Sequence, residues 1–464
     1  MKPKVELAGK RVLVVGLART GIAAALFCAA RGARVTVTEE QSEAQVAEAA
    51  AKLRAAGCAL ELGGHREETF LAQELIVPSP GVPQTLTHLA AARARGVPIW
   101  SEIELAWRFL SGRLVAITGS NGKTTTTSLV GYILETAGIP VLVGGNIGTP
   151  LISRVETSSD SSVTVAEVSS FQLETIEALR PDVAALLNLT TDHLDRHASF
   201  EEYARAKARL FENQTEADAA IVNADDAAAA QYAPARARVF WFSRARRVAA
   251  GTFLRGDEIV FRSDGAETVL LCRADIGLRG EHNVENVLAA SAAALLVGAP
   301  PAAIAAGVRS FAGVEHRLEF VAEIGGVSFY NDSKATNVDA TLKAVDAFPG
   351  RVLVILGGKD KGGDFTLLRE PLRQRASLAL LVGAAAEKIA SQLSGSVTTE
   401  MAGTLDRAVP LAFERACPGD VVLLAPACAS FDQFENFEHR GRVFKQLVRQ
   451  LQQQSAAGEL ARTS

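Results

Sequence analysis

One short segment between an apolar strand and a helix constrains the fold of this chain most. Residues 116–127 read A-I-T-G-S-N-G-K-T-T-T-T. Glycines let backbone N–H groups approach phosphate oxygens, and the N-terminus of the following helix adds positive potential. The usual loop of this kind has four residues between its glycines, whereas Gly119 and Gly122 have two. The segment predicts a short phosphate-binding loop, with Lys123 on the phosphates and Thr124 on Mg²⁺.

Apolar runs along the chain predict an α/β protein built from three blocks. Residues 11–21 read R-V-L-V-V-G-L-A-R-T-G, a strand and a glycine turn that open a βαβ unit, although Ala18 stands where the dinucleotide fingerprint has its second glycine. The second block holds the short phosphate loop, and strands and helices alternate after it, which indicates a parallel sheet. The third block starts near Val314 and repeats the α/β pattern.

Composition limits the class of protein. The chain has 464 residues, 48% of them hydrophobic, which is too long for one typical domain. Its net charge of −4 gives no overall basic surface, so we expect no nucleic acid partner. The five cysteines are scattered, and the N-terminus has no apolar signal core. We therefore expect a cytoplasmic protein that does not cross a membrane.

Two candidate site residues follow strands of the second block. Glu167 ends an apolar strand, where a carboxylate is costly unless it is paired or bound to a metal; the alternative is an ordinary strand-end residue at the surface. His193 lies in N-L-T-T-D-H-L-D-R-H after the next strand. Such a cluster suits a metal or phosphate site, but exposed Asp-His loops are also common.

Two helices of the second block carry further candidates. Tyr203, Lys207 and Leu210 share one side of an amphipathic helix, and composition alone predicts an ordinary solvated lysine at position 207. Asn283 and Asn286 lie in G-E-H-N-V-E-N at a helix start. An asparagine there is usually a cap, but this dense cluster also suits adenine or ribose contacts.

The polar clusters of the third block follow or adjoin strands. Arg317 in E-H-R-L-E is suited to neutralising a phosphate. In Y-N-D-S-K-A-T-N, Asp332 is suited to ribose hydroxyls and Lys334 to the γ-phosphate. Ligands of open α/β sheets bind beyond the carboxyl ends of strands, so polar clusters in two blocks predict a single site that both blocks form.

Ordered motifs over residues 12–442 resemble the Mur ligase family. They are T-G-S-N-G-K-T-T, G-G-N-I-G-T-P, E-V-S-S-F-Q-L-E, N-L-T-T-D-H-L-D-R-H, G-E-H-N-V-E-N, E-H-R-L-E, N-D-S-K-A-T-N and A-C-A-S-F-D-Q-F-E-N-F. The last two resemble the members that add glutamate. The resemblance implies a Rossmann-like UDP-binding domain over residues 1–102, a central P-loop ATP-binding domain with a parallel sheet over 103–313, and a Rossmann-like amino-acid-binding domain over 314–464.

The resemblance also implies the reaction, which is ATP-dependent amide formation through an acyl phosphate. The implied substrates are UDP-N-acetylmuramoyl-L-alanine and glutamate, and we expect a monomer. Lys123 would clamp the phosphates, one Mg²⁺ would lie between Thr124 and Glu167, and His193 and Lys207 would hold a second. In this family the lysine that matches Lys207 is carbamylated, which contradicts the solvated interpretation of that residue.

Further contacts are implied by the matching positions. The implied ATP site consists of Gly119, Ser120, Asn121, Gly122, Lys123, Thr124, Thr125, Asn283, Asn286, Arg317, Asp332 and Lys334. The implied substrate contacts are Arg19, Thr20 and Ser79 near the uridine diphosphate, Asn146 and His193 at the muramoyl group, and Thr336, Lys361, Ser430 and Phe437 at glutamate. The chain departs from the family at Thr38, where an acidic residue often ends the second strand, and Lys359 competes with Lys361 for the acceptor carboxylate.

Four alternatives compete with this hypothesis. A folylpolyglutamate synthase shares the ATP domain but lacks the first block, and another Mur ligase would add a different amino acid. The segment A-C-A-S-F-D-Q-F and Lys361 favour glutamate, in either enantiomer. A regulatory GTPase would need an N-K-x-D motif, which the sequence lacks. A Rossmann dehydrogenase is disfavoured by the incomplete first fingerprint and by the phosphate loop.

Overall fold

The structure is a computed structural model that describes residues 5–192 and 196–463. The chain divides into two compact units. Unit 1 comprises Met1–Asp275 and Glu285–Ser310, and unit 2 comprises Ile276–Val284 and Phe311–Ser464. The division passes through a single helix, α10, whose first turn belongs to unit 2 and whose remainder belongs to unit 1.

The N-terminal part of unit 1 contains a four-stranded parallel sheet with the strand order β3-β2-β1-β4. The central strand β1 is a run of valine and leucine buried between the helices on both faces, as parallel sheets require. The elements are β1 (Arg11–Val15), α1 (Arg19–Ala30), β2 (Arg34–Glu39), α2 (Ala47–Ala55), β3 (Ala59–Leu62), α3 (Glu67–Leu71), β4 (Leu75–Pro78) and α4 (Thr87–Ala94).

Helix α5 (Glu102–Phe109) links the first sheet to the second within unit 1. Ser101 caps its N-terminus by accepting a hydrogen bond from the backbone N–H of Glu104. The buried carboxylate of Glu104 accepts hydrogen bonds from the backbone N–H groups of residues 177–179 and from Nε of Arg108. One apolar core continues from the first sheet into the second, so the two parts of unit 1 pack as one body.

The second part of unit 1 contains a nine-stranded sheet with the order β13-β12-β11-β10-β9-β8-β5-β7-β6. Its elements are β5 (Arg113–Thr118), α6 (Lys123–Thr136), β6 (Val141–Gly145), β7 (Val163–Glu167), α7 (Ser170–Leu173), β8 (Val183–Leu186), α8 (Phe200–Ala208), β9 (Ala219–Asn223), α9 (Ala227–Ala230), β10 (Arg238–Ser243), β11 (Gly251–Arg255), β12 (Glu258–Ser263), β13 (Ala266–Cys272), α10 (Glu281–Leu296) and α11 (Pro301–Ser310).

The prediction of a parallel central sheet is correct from β6 to β11 and wrong at the far edge. There β12 runs antiparallel to β11, and β13 runs antiparallel to β12. Two-residue turns make these hairpins: Gly256-Asp257 joins β11 to β12, and Asp264-Gly265 joins β12 to β13. Asp264 and Gly265 both have positive φ, at 50° and 79°, which is the backbone of a type I′ turn.

Unit 2 contains a six-stranded sheet with the order β14-β15-β19-β16-β17-β18, parallel except for the edge strand β14. The elements are β14 (Glu319–Ile324), β15 (Val327–Asn331), α12 (Val338–Asp346), β16 (Val352–Gly357), α13 (Arg369–Arg375), β17 (Ala376–Val382), α14 (Ala386–Leu393), β18 (Thr399–Gly403), α15 (Leu405–Arg415), β19 (Val421–Leu424) and α16 (Phe437–Thr463). None of the helices in the described ranges is long and apolar enough to cross a membrane.

Candidate active site

The glycine turn between β5 and α6 has the backbone that the sequence predicts. Gly119 has a φ of 152° and Gly122 a φ of 84°, and Gly122 is the N-cap of α6. A Cβ atom on Gly122 would clash with Oδ1 of Asn286, and its φ is one that other residues rarely adopt, so glycine is strongly favoured there. Asn188 fixes the turn from the next strand: Oδ1 accepts from the backbone N–H of Asn121 at 2.8 Å, and Nδ2 donates to its carbonyl oxygen.

Two of the predicted side chains, Thr124 and Asn146, contact the buried carboxylate of a third, Glu167. The hydroxyl of Thr124 donates to Oε2 at 2.7 Å, and Nδ2 of Asn146 donates to Oε1 at 2.8 Å. Glu167 is 2% exposed and ends β7, which pairs with β5, so the strand end points at the start of α6. The surface alternative for Glu167 is therefore wrong.

Lys123 and Lys207 converge on one carbonyl oxygen of the glycine turn. Nζ of Lys123 donates to the carbonyl oxygens of Gly119 and Ser120 at 2.9 and 2.8 Å. Nζ of Lys207 donates to the carbonyl oxygen of Gly119 at 2.9 Å. Two ammonium groups this close repel each other, so the pair favours a neutral form or a bound anion.

Lys207 is buried, at 2% exposure, which overturns the solvated lysine that composition alone predicts. Burial lowers the pKa of Lys207 well below its ordinary value, and the charge of Lys123 lowers it further. Asp192 and Glu167 act in the opposite direction. A larger fraction of the amine is therefore neutral than in a solvated lysine, and a neutral amine is a nucleophile.

Tyr203 lies one helical turn before Lys207 on α8 and also reaches the loop. Its hydroxyl is 2.9 Å from Oγ of Ser120, which in turn donates to the carbonyl oxygen of Thr190. Nζ of Lys207 is 4.6 Å from the centre of the Tyr203 ring. The sequence indicates only that these two residues share a helix face; the hydroxyl contact with the loop depends on how α8 packs.

A second polar site lies at the carboxyl ends of the strands of the first sheet. The glycine turn after β1 packs against Ser79, whose hydroxyl donates to the carbonyl oxygen of Gly16 at 3.3 Å. Strand β2 extends to Glu39, and the carboxylate of Glu39 accepts from the backbone N–H of Leu17 at 2.7 Å. An acidic residue therefore does end the second strand, one residue later than expected; Thr38 is buried and hydrogen-bonded to His65.

A groove of about 510 Å³ opens beside this carboxyl end of the first sheet. Arg19 and Thr20, predicted to lie near the uridine diphosphate, begin α1 directly after the glycine turn. The groove is lined by Leu17, Ile22, Gln41, Gln45, Val46, Ala47, Glu48, Ala49 and Lys52.

In unit 2 the loop after β15 gathers several predicted residues. Asp332 is 7% exposed, and burial raises its pKa to about 7, against the opposing charges of Arg317 and Lys334. Nζ of Lys334 lies 5.2 Å from the ring centre of Phe437, the first residue of α16. The buried Arg440 supports the loop, because its Nε and Nη2 donate to Oγ and the carbonyl oxygen of Ser333.

The loops after β16 and β19 meet in unit 2. Lys359 and Ala429 exchange two backbone hydrogen bonds of 2.8 and 3.0 Å, beside the buried Ser430. Lys361 is exposed two residues further along the first of these loops. Thr336 lies in the loop after β15, where its backbone N–H donates to the carbonyl oxygen of Lys334.

The predicted site residues thus fall into separate groups. Unit 1 brings Asn286 and Thr125 to the phosphate loop, and Oγ1 of Thr126 donates to Oδ1 of Asn286 at 3.3 Å. Asn283 belongs to unit 2, and its Nδ2 donates to the carbonyl oxygen of Arg279. His193 lies outside the described residues.

Sequence patterns do not predict the contacts of three residues near the site. Glu39 directly follows the predicted end of the second strand at Thr38, and the residue pattern assigns it no contact. Asp226, whose carboxylate accepts from the backbone N–H of Leu189 and so fixes the start of the 189–192 loop, had only an N-cap signal before a short alanine helix. The helical spacing between Tyr203 and Lys207 predicts that the two side chains are close, but it does not predict the contact of Tyr203 with Ser120.

Family models match three parts of the chain. They are described as a Mur ligase MurD-like N-terminal domain over residues 10–101, a Mur ligase middle domain over 117–294, and a Mur ligase glutamate ligase domain over 316–428. Curated relatives named UDP-N-acetylmuramoylalanine–D-glutamate ligase include one from Acidobacterium capsulatum, 57% identical over 96% of this chain and 97% of its own, and one from Koribacter versatilis, 53% identical over 97% and 99%.

Solved structures share the fold at low sequence identity. A pseudomurein peptide ligase type C from Methanothermus fervidus superposes with a TM-score of 0.60 at 19% identity, covering 96% of this chain and 100% of its own. A UDP-N-acetylmuramate-alanine ligase from Thermotoga maritima gives 0.59 at 18%, covering 95% and 99%.

The α/β fold and the phosphate loop together define a nucleotide-binding enzyme of the P-loop class. Within that class, the chain belongs to the Mur ligase family. The family membership confirms the resemblance and excludes the GTPase and dehydrogenase alternatives.

Proposed function

We propose that this chain joins D-glutamate to UDP-N-acetylmuramoyl-alanine in an ATP-dependent reaction of peptidoglycan precursor synthesis. The observation that carries the proposal is the 57% identity, over nearly the whole chain, to a relative named for that activity. Relatives at 53% identity carry the same name. We also propose that the enzyme is a cytoplasmic monomer.

The UDP group binds at the carboxyl end of the first sheet. The glycine turn after β1 precedes the N-terminus of α1, which is the usual arrangement for a diphosphate. Glu39 at the end of β2 is suited to accepting hydrogen bonds from ribose hydroxyls. Ser79, Arg19 and Thr20 adjoin the same turn, and the 510 Å³ groove gives the nucleoside room beside it.

The side chains at Glu167 fit a magnesium ion. The Thr124 hydroxyl and the Glu167 carboxylate offer oxygen ligands 2.7 Å apart, and Mg²⁺ prefers oxygen. When bound there, Mg²⁺ supplies positive charge that offsets the repulsion between phosphate and carboxylate. Asn146 keeps the carboxylate oriented through Oε1, and we assign it, with His193, to the muramoyl substrate as well.

Lys207 is a poor metal ligand as an ammonium group and a good one as a carbamate. The lowered pKa gives a neutral amine that can attack CO₂: a nitrogen–carbon bond forms, one proton leaves, and a carboxylate-like group results. This change replaces the repulsion between Lys207 and Lys123 with attraction. We therefore propose that carbamylated Lys207, together with His193, holds the second Mg²⁺.

The reaction proceeds in two displacements. A substrate carboxylate oxygen attacks the γ-phosphorus of ATP, which releases ADP and leaves an acyl phosphate. The glutamate amine then attacks the acyl carbon, the carbon–oxygen bond to phosphate breaks, and the amine loses a proton. Lys123 and the backbone of Gly119, Ser120, Asn121, Gly122 and Thr125 hold the phosphates and place the γ-phosphorus in line.

The remaining contacts are assigned from the family resemblance. We assign ATP contacts to residues of the third block: Arg317 and Lys334 carry positive charge suited to the phosphates, and Asp332 is suited to the ribose hydroxyls. We assign Asn283 and Asn286 to the nucleoside on the same ground. We assign incoming glutamate to Thr336, Lys361, Ser430 and Phe437. Lys361 suits the side-chain carboxylate by charge.

Coupled phosphate release tests the proposal. Purified enzyme with MgATP should release phosphate only when both UDP-N-acetylmuramoyl-alanine and glutamate are present, and the product should be the amide of D-glutamate. Parallel assays with L-glutamate, L-alanine and a diamino acid measure acceptor specificity. Phosphate release without the UDP substrate, or equal rates with another amino acid, would refute the assignment.

A further inference from the structure

The loop that carries Lys361 is held at both ends by a single helix of unit 2. Nζ of Lys388, on α14, donates to Oδ2 of Asp360 at 2.6 Å and to the carbonyl oxygen of Gly363 at 3.0 Å. Oδ1 of Asp360 accepts from the backbone N–H of Gly363 at 2.9 Å. The three groups close a small ring of hydrogen bonds around residues 361 and 362.

The same helix also fixes the far end of the loop. Oε1 of Gln392 accepts from the backbone N–H of Phe365 at 2.8 Å, and Nζ of Lys388 lies 5.3 Å from the ring centre of Phe365. Phe365 is completely buried, so it anchors the chain in the core of unit 2. At the near end, Lys359 is paired to Ala429 through two backbone hydrogen bonds.

Charge makes this support specific to a cation at position 388. Burial would raise the pKa of Asp360, but the hydrogen bonds from Lys388 and Gly363 hold it below its ordinary value, so Asp360 is ionised at neutral pH. Without Lys388, the negative charge of Asp360 would be uncompensated next to Lys361. It would then compete with the substrate carboxylate for the positive charge of Lys361. Lys388 therefore both closes the loop and neutralises this carboxylate.

We propose that Lys388, acting through Asp360 and Gly363, is a positioning residue for Lys361 and thereby for the side-chain carboxylate of the incoming amino acid. This inference rests on the proposed function, in which Lys361 binds that carboxylate. Lys388 touches no reacting atom. Its loss would leave the loop free to move and would weaken glutamate binding without changing ATP binding.

Steady-state kinetics test the inference. In Lys388→Met, the KM for D-glutamate should rise about tenfold, equivalent to about 1.4 kcal/mol, while kcat and the KM for ATP stay within twofold. Lys388→Arg should restore most of the loss, because its guanidinium can bridge the same two oxygens. Arg415→Met is the matched control: it removes an exposed ion pair with Glu400 in the same unit, far along the chain from the loop, and should leave the KM unchanged.

A double-mutant cycle separates this inference from the proposed function. Because Lys388 acts through Lys361, adding Lys388→Met to Lys361→Ala should raise the KM no further than Lys361→Ala alone. Additive effects would overturn the inference. If Lys361→Ala itself leaves the KM for glutamate unchanged, the assignment of Lys361 fails and the inference fails with it, while a wild-type enzyme inactive with glutamate refutes the proposed function directly.

Amide hydrogen exchange gives a readout that needs no activity. Residues 359–365 should exchange faster in Lys388→Met than in the wild type, and exchange should be unchanged in Arg415→Met. If Lys388→Met folds poorly, Asp360→Asn takes its place with the same expected result. Unchanged exchange in this segment would overturn the positioning role whatever the substrate is.

Discussion

The hydroxyl of Thr124 donates a hydrogen bond of 2.7 Å to the carboxylate of Glu167, so the start of α6 and the end of β7 share one buried polar contact. The two residues are brought together because β5 and β7 are parallel neighbours in the sheet. Both groups offer oxygen atoms of the kind that Mg²⁺ prefers as ligands, and their contact marks the point where we propose that a magnesium ion binds.

Removing the Thr124 hydroxyl should abolish efficient catalysis. Thr124→Val keeps the shape of the side chain but deletes one oxygen ligand, and we expect kcat/KM to fall at least about a hundredfold. Thr124→Ser should retain activity. The matched control is Thr127→Val on the same helix, where the buried hydroxyl has no hydrogen-bond partner among the described residues. A Thr124→Val enzyme with normal Mg²⁺ dependence would contradict the assignment.

Deleting the Lys207 side chain should give an enzyme that an added acid can rescue. Lys207→Ala removes the group that we propose to be carbamylated, so activity should fall by about a hundredfold or more. A short-chain carboxylic acid should fill the space and restore part of the rate, and removing CO₂ and bicarbonate should slow the wild-type enzyme reversibly. Full activity of Lys207→Ala would disprove the carbamate.

A methyl group at Gly122 should damage nucleotide binding more than stability. In Gly122→Ala the new Cβ meets Oδ1 of Asn286 at 2.3 Å, and an alanine at φ 84° costs about 1–2 kcal/mol. Gly138→Ala is the control, because its φ is 71° but nothing lies within 4 Å of the added atom. Calorimetric titration with MgATP should show weak binding for Gly122→Ala and normal binding for Gly138→Ala; equal affinities would contradict the steric account.

Glu102 should make the stability of unit 1 depend on pH. Burial raises its pKa from 4.5 to about 7, although the backbone N–H groups of Ile152 and Leu151 oppose the shift. Between these values the folded state keeps a proton that the unfolded state has lost, so the free energy of unfolding falls as pH rises, by about 3 kcal/mol in total. The stabilisation is complete below pH 4.5 and lost above pH 7.

The glutamine variant isolates this contribution. Glu102→Gln keeps the size of the side chain and cannot ionise, so its thermal midpoint should fall less than that of the wild type between pH 5 and pH 8. Asp332, whose pKa is also raised to about 7, titrates equally in both proteins and cancels in the comparison. Parallel pH profiles for the two proteins would show that Glu102 does not titrate in this range.

Most of the strands and the phosphate loop could be predicted from the sequence, because apolar runs and glycine turns are local signals. The alternation of strands and helices does not predict the antiparallel edge β11–β13. Asp264-Gly265 is a local signal for it, because this dipeptide is typical of a hairpin turn. The residue pattern predicts that β2 ends at Thr38, directly before Glu39, whereas the strand includes Glu39. Strand ends are hard to predict because hydrogen bonds to the neighbouring strand decide them.

Ordered motifs and a strand–loop–helix signal are enough to identify the family and the kind of chemistry, because both follow from the order of residues alone. The burial and charge of individual side chains depend on the tertiary structure. Lys207 belongs to an amphipathic helix and loses its hydration only because α8 packs against the phosphate loop. Lys388 meets Asp360 across 28 residues of sequence because α14 follows the strand beside β16. Burial and charge pairing depend on which elements pack together, and that information is not local in the chain.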